Sequence, residues 1–166
     1  GTHSIIVKAT DSDGLFTDAL VSITVNGVPS QPIVSISPSP ASTDDDLTAT
    51  ATNSIDPDGD PVSYSYEWLN NGSVVSFGNT LSSALTNKGE TWTARAIPND
   101  GIANGPAGSE SITISNTPPE IQGVVIIPSP AGTQDALTCM ATTFDADGDS
   151  VSVAYTWTID GQLQSE

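Results

Sequence analysis

Residues 38–72 read PSPASTDDDLTATATNSIDPDGDPVSYSYEWLNNG, and residues 128–161 read PSPAGTQDALTCMATTFDADGDSVSVAYTWTIDG. The two stretches are copies of one unit. Leu47 answers to Leu137 at an offset of 90; after a one-residue gap, Asp58 answers to Asp147 and Trp68 to Trp157 at 89. Repetition on this scale sets the module before any finer reading is possible. A second match joins IIVKATDSDG, from Ile5, to WTARAIPNDG, from Trp92, at an offset of 87. VSITVNGVP (21–29) then aligns with SITISNTPP (111–119) after a three-residue insertion. Phasing these matches makes residues 1–28 the end of one module, 29–117 a complete module, and 118–166 the start of a third. The linkers are NGVPSQP (26–32) and NTPPE (116–120). Proline fixes φ and lacks an N–H, so short proline-rich linkers act as semi-rigid spacers. The chain reads as a window cut from a longer array.

Within each unit the period is two, not 3.6. Apolar and hydroxyl residues alternate through Leu47, Thr48, Ala49, Thr50, Ala51 and Thr52. Tyr64, Tyr66 and Trp68 share one face, as do Trp92, Ala94 and Ala96, and then Ile112 and Ile114. Outward threonines suit a strand, because a branched Cβ packs on the pleat. Turn signals (DPDGDP, NNG, NKG, NDG) separate the runs. Some seven short strands in about 90 residues is the immunoglobulin-like count. The fold class expected is all-β: tandem immunoglobulin-like β-sandwiches, with no helix in the middle module and with Trp68 sealed beside Ala49 and Ala94.

Composition narrows the function. Lys and Arg total 3 against 20 Asp and Glu, giving a net charge of −17. With only Lys8, Lys88 and Arg95 as cations, the chain cannot neutralise a phosphate backbone, which excludes nucleic acid as a partner. Anionic membrane surfaces repel it for the same reason. The longest aliphatic run, residues 124–127, is too short for membrane insertion. The inventory also speaks against an enzyme. There is one histidine, His3, and one cysteine, Cys139, with no nucleophile elbow, zinc spacing or phosphate-cradling loop.

The residues carry a family resemblance over essentially the whole chain. DPDGD ahead of an aromatic strand ending in Trp68, and NDG or DSDG after the penultimate strand, resemble bacterial immunoglobulin-like repeats of the PKD and cadherin-like kind. Such repeats occur in long secreted adhesins and as spacers in extracellular enzymes. The resemblance therefore implies an extracellular or cell-surface location. It also implies a role for Cys139. In immunoglobulin domains a disulfide joins strands B and F beside a strand-C tryptophan. Cys139 takes the strand-B position, where the middle module has Ala49, and its strand-F counterpart in that module is Ala94. A cysteine partner is expected beyond Glu166; the alternative is a buried unpaired thiol.

The acidic loops are the candidate chemistry. Asp11 and Asp13, then Asp56, Asp58 and Asp60, then Asp145, Asp147 and Asp149 sit in loops, the last two sets with D-x-D-G-D spacing. Alternating carboxylates around a glycine turn can converge on calcium, which takes six to eight oxygen ligands. In an immunoglobulin-like module the BC and FG loops share one end, which brings Asp100 towards Asp56, Asp58 and Asp60. That end also receives the linker from the preceding module, so a cation there would stiffen the joint. The competing reading is a plain turn, since Asp and Asn bond their own backbone and glycine supplies positive φ. Asp44, Asp45 and Asp46 read as a solvated turn. Trp68, Trp92 and Trp157 read as core rather than as a ligand platform. Asn71-Gly72-Ser73 fits an N-glycosylation acceptor but reads better as a tight hairpin.

These readings make the chain a non-catalytic spacer or stalk segment of a surface adhesin or extracellular fibre. Its partners would be neighbouring modules, other copies in a fibre, and a surface ligand the sequence does not name. One alternative is an accessory module beside a secreted hydrolase. Another is a filament subunit assembling by strand complementation. The two partial modules total 77 residues against 89 in the complete one, which favours truncation over complementation.

Overall fold

Residues 1–164 are described by a computed structural model. The alternation of residues 33–115 becomes two facing sheets. One is three-stranded, in the order β3 (Ile33–Ser37), β5 (Leu47–Thr52), β8 (Thr80–Leu81). The other is five-stranded, in the order β4 (Ala41–Ser42), β10 (Gly108–Ser115), β9 (Thr91–Asn99), β6 (Ser63–Asn70), β7 (Ser73–Phe77). Every pairing is antiparallel except the short β4–β10 contact, which is parallel. The chain thus leaves the first sheet after β3 and touches the second at β4 before returning as β5. This is the immunoglobulin-like β-sandwich, with β3, β5, β6, β9 and β10 in the places of strands A, B, C, F and G.

Period-two burial puts one face of each sheet inside. Val34, Ile36, Leu47, Ala49, Ala51 and Leu81 meet Trp68, Trp92, Ala94, Ala96 and Ile114 in one core. Trp68 is 0% exposed and stands opposite Ala94 in the β6–β9 register. Alanines on β5 and β9 make room for two indoles, so large and small residues interdigitate. Tyr64 and Tyr66 pack at the margin of the core, and their hydroxyls reach across to the other sheet. Tyr66 Oη accepts from the Ala51 N–H at 3.1 Å, and Tyr64 Oη from the Ser54 N–H at 3.4 Å. On the outer face, Glu67 and Arg95 pair across β6 and β9.

The turns follow their chemistry. Asn71 (φ 51°) and Gly72 (φ 78°) close β6 onto β7 as a two-residue loop with both φ values positive, the geometry that Asn-Gly favours. The middle module contains one helical feature, a 3-10 turn at Ser83–Leu85 between β8 and β9. The sequence reading had none there. Ser82 caps it through its side chain, and Asp46 Oδ1 accepts the Ser83 N–H at 2.7 Å. Asp45 accepts from the Ser42 N–H and hydroxyl at 2.8 and 2.7 Å, so the run at 44–46 is a bonded turn.

Three further pieces flank this sandwich. β1 (Thr2–Thr10) and β2 (Phe16–Thr24) form a hairpin that is exposed along its whole length. β11 (Glu120–Ile127) pairs with β12 (Thr138–Phe144), and β13 (Thr158–Ile159) with β14 (Gln162–Leu163). Residues 151–157 join no strand. Trp157 is accordingly half-buried, whereas Trp68 and Trp92 are sealed. Cys139 is a half-buried free thiol among the described residues. No helix among those residues is long and apolar enough to cross a membrane.

Candidate functional site

Two of the three acidic loops lie where one module meets the next, and all three begin with the same local device. Asp56 Oδ1 accepts the N–H groups of Asp58 and Asp60 at 2.8 and 3.3 Å. Asp145 Oδ1 accepts those of Asp147 and Asp149 at 3.0 and 2.9 Å. Asp11 Oδ1 accepts those of Asp13 and Leu15 at 3.0 and 2.9 Å. Gly14, Gly59 and Gly148 supply positive φ after the second aspartate of each loop. The first aspartate of each loop therefore folds it.

The second aspartate reaches the linker. Asp58 Oδ2 accepts the Gly27 N–H at 2.7 Å, and Asp147 Oδ2 accepts the Thr117 N–H at 2.7 Å. The residue before each of these amides is an asparagine that bonds forward. Asn26 Nδ2 donates to the Gly27 carbonyl at 2.8 Å, and Asn116 Nδ2 to the Thr117 carbonyl at 2.9 Å. The same latch therefore closes both junctions. The carboxylate holds the linker by its N–H, while the asparagine's bond to the next carbonyl fixes the shape of the linker itself.

Each latch has its own additions. At the first junction Asn26 Nδ2 also donates to Asp100 Oδ2 at 2.8 Å, while Asp100 Oδ1 accepts the Ile102 and Ala103 N–H groups, both at 2.7 Å. The β9–β10 loop thus meets the linker at the same end as the Asp56 loop. At the second junction the Thr43 hydroxyl donates to Asp147 Oδ1, and Lys88 Nζ contacts Asp149 Oδ2 at 2.5 Å and Asn116 Oδ1 at 3.0 Å. Thr43 and Lys88 belong to the far end of the middle module, so they tie it to the next loop.

These contacts favour the ionised carboxylates. The Gly27 N–H holds Asp58 below the usual carboxylate range. The Ala103 N–H, then Asn26 and the Ile102 N–H, do the same for Asp100. The Thr43 hydroxyl and the Thr117 N–H lower Asp147. Asp149, with more distant help from Asp147 and Asp145, raises Lys88.

The residues singled out as calcium ligands separate on this geometry. Among the described residues, Asp145, Asp147 and Asp149 form the one trio whose ligand oxygens all lie within 4.8 Å of one another. Asp56, Asp58, Asp60 and Asp100 share the first junction without gathering in that way. Asp11 and Asp13 stay in the β1–β2 turn. The trio fits calcium in kind, since it offers hard oxygens. It falls short in number, and Lys88 already supplies a positive charge. Asp56 Oδ2 and Thr117 Oγ1 are buried without partners at the two junctions.

Sequence reasoning missed Asn26, Gly27, Thr43, Lys88, Asn116 and Thr117. The signal for two of them was present: Asn26 and Asn116 align in the repeat, and both open a proline-containing linker.

No family model matches the chain, and no curated protein matches it. A solved structure to which it is similar is the rat CD45 extracellular region, domains d3-d4, at 12% identity and a TM-score of 0.46. The match covers 68% of this chain and 63% of that one, so it spans less than two thirds of that structure. The class defined by topology and junctions is an all-β, immunoglobulin-like sandwich whose neighbouring segments are latched to it by carboxylates.

Proposed function

We propose that this chain is a non-catalytic spacer segment of a secreted or cell-surface protein. In this reading it is a run of PKD-like or cadherin-like modules that forms a rod in an adhesin or extracellular fibre. The observation that carries the proposal is the repeated latch, Asp58 on Gly27 and Asp147 on Thr117. A protein whose modules only needed tethering would not require the same carboxylate hold on the amides of both linkers. A spacer does, because length transmits position only if the joints resist bending. High negative charge serves the same end by keeping exposed strand edges apart.

The test is NMR alignment. Residual dipolar couplings from the middle module and from residues 120–144 are expected to fit one alignment tensor. Asp147→Ala should split them into two, with unchanged chemical shifts inside the middle sandwich. Two tensors in the unmutated chain would overturn the spacer reading.

A second reading adds calcium at Asp145, Asp147 and Asp149, favoured by the convergence of their oxygens. The ion would neutralise crowded carboxylates and reinforce a joint that protein groups already close.

A further inference from the structure

Three Asn-Gly pairs stand in this chain, at 26–27, 71–72 and 104–105. Such a pair carries its own reagent. The glycine nitrogen, once deprotonated, attacks the asparagine Cγ, and glycine has no Cβ to obstruct the approach. An N–Cγ bond forms, the Cγ–Nδ2 bond breaks, and the side-chain nitrogen leaves as ammonia with the proton that the glycine nitrogen gave up. Water then opens the cyclic imide at either carbonyl. One opening gives aspartate; the other gives an aspartate linked through its β-carboxyl. The reaction needs a glycine N–H that is not engaged elsewhere and space in which the two groups can swing together.

The fold denies both to two of the pairs. The Gly27 N–H donates to Asp58 Oδ2 at 2.7 Å, and a carboxylate beside that nitrogen also opposes its deprotonation. The Gly105 N–H donates to the Pro98 carbonyl at 2.9 Å. Both glycines are packed as well: a methyl on Gly27 would strike the Pro57 ring, and one on Gly105 the Pro29 carbonyl. Asn71-Gly72 differs on each count. Both residues are exposed, and the Gly72 N–H finds no acceptor among the described residues. A methyl built on Gly72 meets nothing within 4 Å. The turn leads into β7, the outer strand of its sheet, so opening the tip breaks only the Asn70–Ser73 pairing beside it.

The repeat shows which product this turn accepts. Asp160-Gly161 stands where the middle module has Asn71-Gly72, at the offset of 89. Asn71 and Asp160 have φ of 51° and 50°, and Gly72 and Gly161 have 78° and 76°. Aspartate therefore fits the same turn. The β-linked product does not, because it lengthens the main chain of a two-residue loop by one methylene.

We propose that Asn71 is a site of spontaneous covalent modification, where cyclisation onto Gly72 replaces a neutral amide by a carboxylate, and that the Asp58 latch spares Asn26 the same reaction. Each event adds one negative charge at the β6–β7 tip. The β-linked form also loosens β7 from β6, the one strand it pairs with. The hairpin thereby records how long a molecule has existed, while the linker that joins the modules stays chemically intact.

The test ages the full chain in mildly alkaline buffer, folded and in concentrated urea. Cleavage after glutamate then yields residues 1–67, 68–90 and 91–110, with one Asn-Gly pair in each. Mass spectrometry with fragmentation reads the gain of about 1 Da and assigns it to a residue. A methyltransferase specific for β-linked aspartate labels that isomer. In the folded chain Asn71 is expected to convert about tenfold or more faster than Asn26 and Asn104, each of which must first give up a hydrogen bond and its packing. In urea the three rates should converge. Asp58→Ala should speed conversion of Asn26 severalfold and leave Asn71 unchanged, and Asn71→Gln should abolish the gain at that position. Circular dichroism reports that each variant is folded. Equal rates in the folded chain, the same ranking and ratio in urea, or an Asn26 indifferent to Asp58→Ala would each overturn the proposal.

Discussion

Replacing Trp68 by alanine tests the sandwich at its centre. The indole, on β6, is fully buried between the two sheets. A tryptophan buries about 150–250 Å², worth about 4–6 kcal/mol at roughly 25 cal/mol/Å². A compact denatured state removes part of that difference, and measured Trp→Ala costs in cores are about 3–5 kcal/mol. A module of this size has a total stability of about 5–13 kcal/mol. Trp68→Ala should therefore remove about a quarter of it or more. Trp68→Phe should cost less than about 2 kcal/mol, because it also removes the buried indole N–H, which has no acceptor and carries a penalty of about 1–3 kcal/mol. Trp157→Ala in dilute solution should cost under about 1 kcal/mol, since that ring is only half-buried. Urea unfolding followed by far-ultraviolet circular dichroism reads all three on the intact chain. A Trp68→Ala variant within about 1 kcal/mol of the parent would refute the core as described. So would a Trp157→Ala variant as damaging as Trp68→Ala.

Acid should open the junctions. Asp58, Asp100 and Asp147 are lowered in the folded chain, so their contribution is complete above the unfolded aspartate value near ~3.9 and is lost as pH falls through the lower folded values. The amide resonances of Gly27 and Thr117 should hold steady from pH 7 to 5 and then move together on acidification; movement already near pH 6 would contradict the latch. Gly105→Ala and Gly108→Ala should each destabilise by about 1–3 kcal/mol in urea, because a methyl at either position overlaps the carbonyl of Pro29 or Pro32. Unchanged midpoints would mean the linker does not lie against β10. For calcium, isothermal titration of the parent and of Lys88→Met should show tighter binding in the variant, where the trio has lost its ammonium. Heat in neither would remove the second reading.

The sandwich was legible because its signal is collective. Alternation in residues 47–52, 63–68 and 91–96 needs no knowledge of contacts, only that one face is buried. The immunoglobulin-like strand order then placed Ala49 and Ala94 beside Trp68. The 3-10 turn at Ser83–Leu85 was not legible, because it depends on Asp46 reaching Ser83 from a distant loop. The junction was half legible. D-x-D-G-D announces a turn, and Asp56 and Asp145 make it. That Asp58 and Asp147 turn outward to a linker amide depends on where the preceding segment runs, which no local pattern encodes. Lys88 was read only as a scarce cation, since its partners, Asp149 and Asn116, lie 61 and 28 residues away.

That scarcity has a consequence outside mechanics. An endopeptidase that cuts after lysine or arginine meets only three scissile positions in this chain. Lys8 lies within β1 with its ammonium 3.5 Å from the centre of the Phe16 ring, and Arg95 lies within β9, bound to Glu67. Lys88 stands in a turn but is held by two side chains. Extended digestion with trypsin should leave the folded chain whole long after enzymes with other preferences have nicked its loops, so its survival among proteases depends on which kind it meets.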